Sequence, residues 1–270
     1  MLKQRIITAV ILVPIVLFLL FFASPPLFCI VTGLVVLMAA YEWTNLIPLH
    51  HTWQKLLYLF IFFDFMFLML FVQTPLIFAV TFFWWLAALI LVLIYPRGSH
   101  IWSSSKLIKG IMGALVLIPC WVAINFIRNG NEGIFVLFFI FILIWGADTT
   151  AYFAGKKWGT IKLAPLVSPG KSVQGVISAL VYAVVITILT GLLSQPPLVI
   201  IVSAVILAVV TVAFSILGDL FESMMKREVG LKDSSNILPG HGGLLDRIDS
   251  LTAAAPIYAL GGLLLSMFFS

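Results

Sequence analysis

Hydrophobic and polar positions along this chain alternate on the scale of whole helices. Apolar segments fall at 6–23, 27–47, 56–72, 76–95, 109–127, 134–154, 173–193, 198–220 and 250–269. Each holds about 20 residues, enough for an α-helix rising 1.5 Å per residue to cross the ~30 Å hydrocarbon of a bilayer. The pattern predicts an all-α, polytopic integral membrane protein with about nine transmembrane helices. Ser24-Pro25-Pro26, Gln73-Thr74-Pro75 and Ser194-Gln195-Pro196-Pro197 read as short turns, because proline lacks a donor and restricts the residue before it. The first two segments could also form one broken hairpin. Lys3 and Arg5 ahead of the first segment resemble the start of a secretory leader. The apolar run is long for one and no small-x-small site precedes Ser24, so a retained helix is expected.

Composition supports the same class. The chain is 63% apolar and 9% charged, with a mean hydropathy of +1.21, too little polar surface to cover a water-soluble globule. Cys29 and Cys120 sit in apolar runs without a metal-ligand partner and read as small buried hydrophobes. The net charge of +5 could imply nucleic acid. With the N-terminus in the cytoplasm, however, every lysine and arginine except Arg128 falls on the cytoplasmic side, a positive-inside bias that explains the charge without such a partner. Nine spans then put the C-terminus on the far side. Trp43, Trp53, Trp102 and Trp158 lie near segment ends, as interface anchors should, whereas Trp84 and Trp85 are expected to pack inside. With no internal repeat, residues 1–270 read as one helical domain. Residues 1–140 are mainly scaffold, and 141–270 carry a site facing the cytoplasm.

Asp64, in the third segment, is an intramembrane carboxylate and so a functional candidate by default. Its neighbours Phe62, Phe63, Phe65 and Met66 carry no charge, and a satisfied or interfacial acid is the simpler reading. The polar residues concentrate elsewhere. Asp148 stands near the cytoplasmic end of segment six, where Gly146 and Gly155 permit a close helix neighbour. Asp219, Glu222, Ser223 and Lys226 recur at i, i+3, i+4 and i+7, one stripe on a helix leaving segment eight. Asp246 and Asp249 open segment nine, where acids also suit a helix N-terminus. Carboxylates gathered at one depth would repel, and a hard divalent cation such as Mg²⁺ removes that cost while binding phosphate. Lys226, Arg227 and Arg247 would then take the remaining phosphate charge. This fits phosphoryl or nucleotidyl transfer. An ion-pair network between helices or an ion-transport path stays open on the residues alone.

Lys171 and Ser172 open segment seven, where free N–H groups can hold phosphate. Their Ser168-Pro169-Gly170-Lys171-Ser172 context lacks the first glycine of a phosphate loop. Lys156 and Lys157 read as topology signals. His241 lies between Pro239-Gly240 and Gly242-Gly243, a place for contact with phosphate or nucleotide rather than zinc.

The stretch Ser223–Asp249 also carries a resemblance. Ser223, Lys226-Arg227, Lys232-Asp233, Ser235, Leu238-Pro239, His241-Gly242-Gly243-Leu244, Asp246-Arg247 and Asp249 resemble the signature of the phosphatidate cytidylyltransferases, the CDP-diacylglycerol synthases, and of their bacterial members most closely. Looser similarity reaches Trp145-Gly146-Ala147-Asp148, the Ser168–Ser172 stretch and the polytopic layout. The resemblance implies an enzyme of the bacterial inner membrane that joins CTP and phosphatidic acid with Mg²⁺, among membrane lipid. It puts forward Asp219 and Asp246 as the metal pair, with Asp148 and Asp249 in support. It also implies substrate contacts from Lys171, Ser172, Ser223, Lys232, Asp233, His241, Gly242 and Gly243. A homodimer is compatible with it.

Overall fold

The computed structural model describes residues 2–269, with side chains at residue 8 and from 10 to 268. The side chains of Lys3 and Arg5, and Ser270, lie outside the described residues. Nine α-helices follow one another among the described residues: α1 (Leu2–Phe22), α2 (Pro25–Trp43), α3 (Thr52–Leu68), α4 (Thr74–Ile94), α5 (Lys106–Arg128), α6 (Gly133–Trp158), α7 (Val173–Ser194), α8 (Leu198–Glu228) and α9 (Leu245–Phe269). Eight are long and apolar enough to cross a membrane, and α1 adds the shorter apolar run Val10–Phe22. The first two segments are therefore separate helices. Breaks fall at the proline turns, with Pro25 and Pro75 in the first turns of α2 and α4.

Between helices in lipid there is little hydrophobic drive, so close approach through small residues holds the bundle. A Cβ on Gly218 of α8 would lie 2.5 Å from the Asp249 carbonyl oxygen of α9. At Gly146 of α6 the Tyr182 ring of α7 fills the equivalent space, and its hydroxyl donates to the Ile142 carbonyl at 3.1 Å. Trp43 of α2 packs on Gly113 and donates from Nε1 to the Lys109 carbonyl at 2.9 Å. α5 is the most enclosed helix and α3 the least. Phe60, Phe63 and Phe65 of α3 point outward, and Asp64 is exposed among them.

Two tryptophans differ from expectation. Trp43 and Trp102 are buried, while Trp53 and Trp158 are exposed as interface anchors would be. The indole N–H of Trp43 has a carbonyl to reach inside the bundle, which removes its reason to sit at the boundary.

Two features lie beyond the apolar pattern. α8 has 31 residues, a length of about 46 Å that exceeds a ~30 Å hydrocarbon layer and carries its last turns out of the bilayer. A two-stranded antiparallel hairpin, β1 (Lys162–Ala164) and β2 (Ser168–Ser172), joins α6 to α7, with Lys162 opposite Ser172 and Ala164 opposite Ser168.

Several polar ties between distant segments meet at one end of the bundle. Thr8 of α1 donates to the Pro239 carbonyl, Asn45 after α2 donates to the Ser234 carbonyl, and Arg227 at the end of α8 donates to Val167 in the hairpin. At the opposite end Arg128 of α5 donates to the Ala23 carbonyl after α1 and lies over the Phe28 ring. The single basic residue expected on the far side is thus held locally.

Candidate active site

The last turns of α8 present a polar stripe because Asp219, Glu222, Ser223 and Lys226 share one helical face. Ser223 donates its hydroxyl to Asp219 Oδ1 at 3.2 Å, which orients that carboxylate. Its other oxygen pairs with Lys171 Nζ of β2 at 2.7 Å. Lys226 Nζ lies 2.5 Å from Asp246 Oδ1 and 3.3 Å from Glu222 Oε1. Asp148 of α6 lies within electrostatic reach of Asp219, Lys171 and Arg247. Asp249 faces Asp219 and Lys171 and abuts Glu222. Carboxylates from α6, α8 and α9 thus surround Lys171 and Lys226 at one end of the bundle.

The loop between α8 and α9 is shaped from below by Asp246. Besides Lys226, this carboxylate takes the Ser234 N–H at 2.9 Å, the Ser234 hydroxyl at 3.0 Å and the Gly243 N–H at 2.7 Å. Gly242 has φ +80, and a Cβ there would lie 2.6 Å from Asp246 Oδ2, so a side chain is excluded on both counts. Above it, Leu238 N–H donates to the Gly242 carbonyl at 2.8 Å and His241 N–H to the Leu238 carbonyl at 2.9 Å, closing the Pro239–Gly242 turn.

A second carboxylate holds the loop, and sequence reasoning missed it. Glu42, at the end of α2, is fully buried. Its Oε1 accepts from the Ser235 hydroxyl at 2.6 Å and the Leu244 N–H at 3.0 Å. Its Oε2 accepts from the Leu245 N–H at 2.7 Å and lies 3.1 Å from the Ser234 hydroxyl, whose single proton it shares with Asp246. It therefore satisfies N–H groups at the start of α9 that have no partner within the helix. The signal was present: an acid inside an apolar segment, the same criterion that drew attention to Asp64.

The structure brings together Asp148, Lys171, Asp219, Ser223, Lys226, Asp246 and Asp249, with Arg247 exposed beside them. Others stand apart. The Ser172 hydroxyl accepts from Gly175 N–H and caps α7, hemmed in by Gly155 and Gly159. Arg227 spends its donors on the Val167 and Leu231 carbonyls. Lys232 and Asp233 are exposed on a separate cavity beyond Ser234. Gly243 is packed against Ser234 and Glu42, with no room for a side chain.

Among the described residues no three Asp, Glu, His or Cys side chains converge closely enough to hold a metal ion as they stand. Asp246 accepts from Lys226, Ser234 and Gly243, and so organises the loop. Asp219 and Asp249 are the carboxylates best placed for a hard cation. Glu222 lies behind them, with both oxygens buried and no hydrogen-bond partner beyond its ion pair.

Comparison with known proteins bears on this geometry. Residues 3–265 match the model of the cytidylyltransferase family. The chain is 40% identical to the phosphatidate cytidylyltransferase of Haemophilus influenzae, over 96% of this chain and 98% of that protein. It is 41% identical to the Pseudomonas aeruginosa protein of the same name, over 96% of each. The Bacillus subtilis protein of that name is 39% identical over 54% of each.

Proposed function

Because the chain belongs to the cytidylyltransferase family, we propose that it transfers the cytidylyl group of CTP to phosphatidic acid, giving CDP-diacylglycerol and pyrophosphate. The observation that carries this reading is the meeting of carboxylates, Lys171 and Lys226 at one end of a membrane-spanning bundle. A soluble nucleotide reaches that end from water, and a lipid phosphate reaches it from the leaflet. An oxygen of the lipid phosphate forms a bond to the α-phosphorus of CTP. The bond from that phosphorus to the bridging oxygen breaks, and pyrophosphate leaves with the electron pair. The attacking oxygen is already anionic, so no general base is assigned. Lys171, Lys226 and Arg247 neutralise phosphate charge, the main way such barriers are lowered.

The donor set fits Mg²⁺, an ion usually held by one or two carboxylates plus substrate phosphates. Asp219 and Asp249 would hold it, with Glu222, paired with Lys226, behind them. When bound, Mg²⁺ supplies charge neutralisation at the phosphates. Lys171, held against Asp219 at 2.7 Å and partly exposed, would contact substrate phosphate. Incorporation of labelled CTP into lipid by the purified protein, with and without Mg²⁺, tests the reaction. Failure to form CDP-diacylglycerol under either condition overturns it.

The bases divide by contact. Arg247 is exposed beside Asp148 and free to clamp phosphate with two parallel donors, which a lysine does not offer. Arg247→Lys is expected to lower kcat by on the order of 30-fold or more, as for loss of a charged hydrogen bond made in the transition state. Lys156→Arg and Lys157→Arg should leave kcat unchanged. Full kcat in Arg247→Lys would show that charge alone matters there, and damage from Lys156→Arg equal to that from Arg247→Lys would overturn the division. Arg227→Lys should act through the hairpin and loop that it ties.

We place the site on the cytoplasmic face of a bacterial inner membrane, with the N-terminus on the same side and the C-terminus opposite. Positive-inside charge supports this direction. Ser234 is buried, so the accessible reporter is the exposed neighbour Asn236. Asn236→Cys should resist an impermeant maleimide in intact cells and react after permeabilisation. Reaction in intact cells reverses the topology.

A further inference from the structure

A cavity of about 530 Å³ opens between the segment that follows α2 and the loop that follows α8. It lies beyond the helix ends, on the side of the bundle that carries the carboxylates. Ile47, Leu49 and Leu231 give it an apolar side, while Asn45, Ser235 and Asn236 offer amide and hydroxyl groups. That size is within the roughly 300–1,000 Å³ of small-molecule sites, and an apolar wall with a few fixed polar groups suits a flat heterocycle. Ser234 joins the cavity to the charged cluster, since it lines the one and donates to Asp246 in the other. Lys226 sits on that same Asp246.

Asn45 is the informative residue. Its side chain is exposed to the cavity, yet its amide is locked. Nδ2 donates to the Ser234 carbonyl at 3.1 Å and Oδ1 accepts from Lys55 Nζ at 3.0 Å. An amide has two N–H donors and two acceptor lone pairs, so one N–H and one lone pair remain. Cytosine presents an amino donor beside a ring-nitrogen acceptor, and the leftover pair complements both. With the ring held in that same place uracil presents the reverse order, O4 where cytosine has its amino group and N3–H where cytosine has N3. Serving it would require the amide to turn over, which breaks the bonds to Ser234 and Lys55.

We propose that this cavity takes the nucleoside end of CTP and that Asn45, fixed by Lys55 and the Ser234 carbonyl, selects cytosine over uracil. The inference rests on the transfer reaction proposed above. The lipid substrate is the poorer occupant, because every lining residue except Lys55, in the first turn of α3, belongs to the segments that follow α2 and α8 beyond the helix ends.

The test uses the purified full-length protein in lipid–detergent micelles, with CTP, UTP and phosphatidate varied in turn. Lys55→Met, which unlocks Oδ1, should lower the CTP-to-UTP ratio of kcat/KM by about tenfold, a modest share of what a site built on hydrogen bonds can discriminate. Asn45→Asp, which replaces a donor by an acceptor, should lower the same ratio and raise KM for CTP. Asn236→Ala, on the far side of the cavity, should raise KM for CTP and leave KM for phosphatidate unchanged. Asn45 also tethers the loop, so if Asn45→Asp does not fold, Lys55→Met decides alone. A CTP-to-UTP ratio that Lys55→Met leaves unchanged overturns the proposal, as does a change confined to KM for phosphatidate. If the wild-type protein makes no CDP-diacylglycerol, the transfer reaction itself has failed. Calorimetric titration with CTP and UTP then reads the same discrimination without turnover, and equal affinities refute the cavity assignment.

Discussion

Asp219→Asn and Asp249→Asn should each reduce cytidylyl transfer by on the order of 10³-fold, while the protein still inserts and purifies. Both residues face the same space from neighbouring helices, and neither is consumed in holding the loop. Asp219 has its geometry set by Ser223 and its charge matched by Lys171. The amide keeps the shape and hydrogen bonding of one oxygen but removes the charge that a divalent cation requires. Asp246→Asn should also be inactive, for a different reason. It sets an amide N–H against the N–H groups of Ser234 and Gly243 or the Lys226 ammonium, so the loop itself should loosen. Limited proteolysis between residues 229 and 244 separates the two cases. Asp219→Asn and Asp249→Asn should digest like the wild type, and Asp246→Asn faster. Near-normal turnover by Asp249→Asn at limiting Mg²⁺ would exclude it from the metal site.

Glu42→Ala should be the most damaging substitution in the first half of the chain. It strips acceptors from the Ser235 hydroxyl and from the N–H groups of Leu244 and Leu245 in a buried setting, and leaves the Ser234 hydroxyl with Asp246 alone. Each buried donor left without a partner costs about 1–3 kcal/mol. Partial rearrangement keeps the sum below three such penalties, and a fall in Tm with loss of most kcat is expected. Glu42→Gln is the sharper variant, because each carboxylate oxygen accepts from one backbone N–H, of Leu244 or Leu245, and an NH₂ group in either position opposes that donor. Glu42 lies on the loop's supports and is a positioning residue. Its loss should therefore accelerate proteolysis of residues 229–244 along with slowing turnover. A Glu42→Gln protein with wild-type kcat and loop protection would rule the role out.

The apolar segments were legible in the sequence because lipid imposes one strong rule, about 20 apolar residues per crossing, and each segment coincides with a helix. The i, i+3, i+4, i+7 stripe from Asp219 to Lys226 was legible for a similar reason, since helical periodicity alone sets it. The roles within the cluster were not. Asp246 read as a free ligand because spacing shows which face a carboxylate occupies and not which donors surround it. Ser172 read as a substrate contact because an N-cap and a phosphate-binding serine occupy the same position at a helix start. Glu42 was lost among apolar neighbours, its partners lying about 200 residues further on. The hairpin between α6 and α7 escaped because Lys162–Ser172 has no alternating pattern, and its pairing is fixed by the helix ends it joins.

The bond between Glu42 and the start of α9 also bears on the order in which this protein matures in the cell. The two partners are separated by 203 residues, and among the described helices α9 is the last to be made. At synthesis rates of about 5–20 residues per second, the acceptor waits roughly 10–40 s for its donors. During that interval the end of α2 faces water or the insertion machinery, where a bare carboxylate costs little. Only when the ninth helix enters does that charge become enclosed and the loop take its shape. A ribosome-bound chain lacking α9 should therefore be membrane-inserted yet catalytically silent, so that an unfinished copy cannot consume nucleotide.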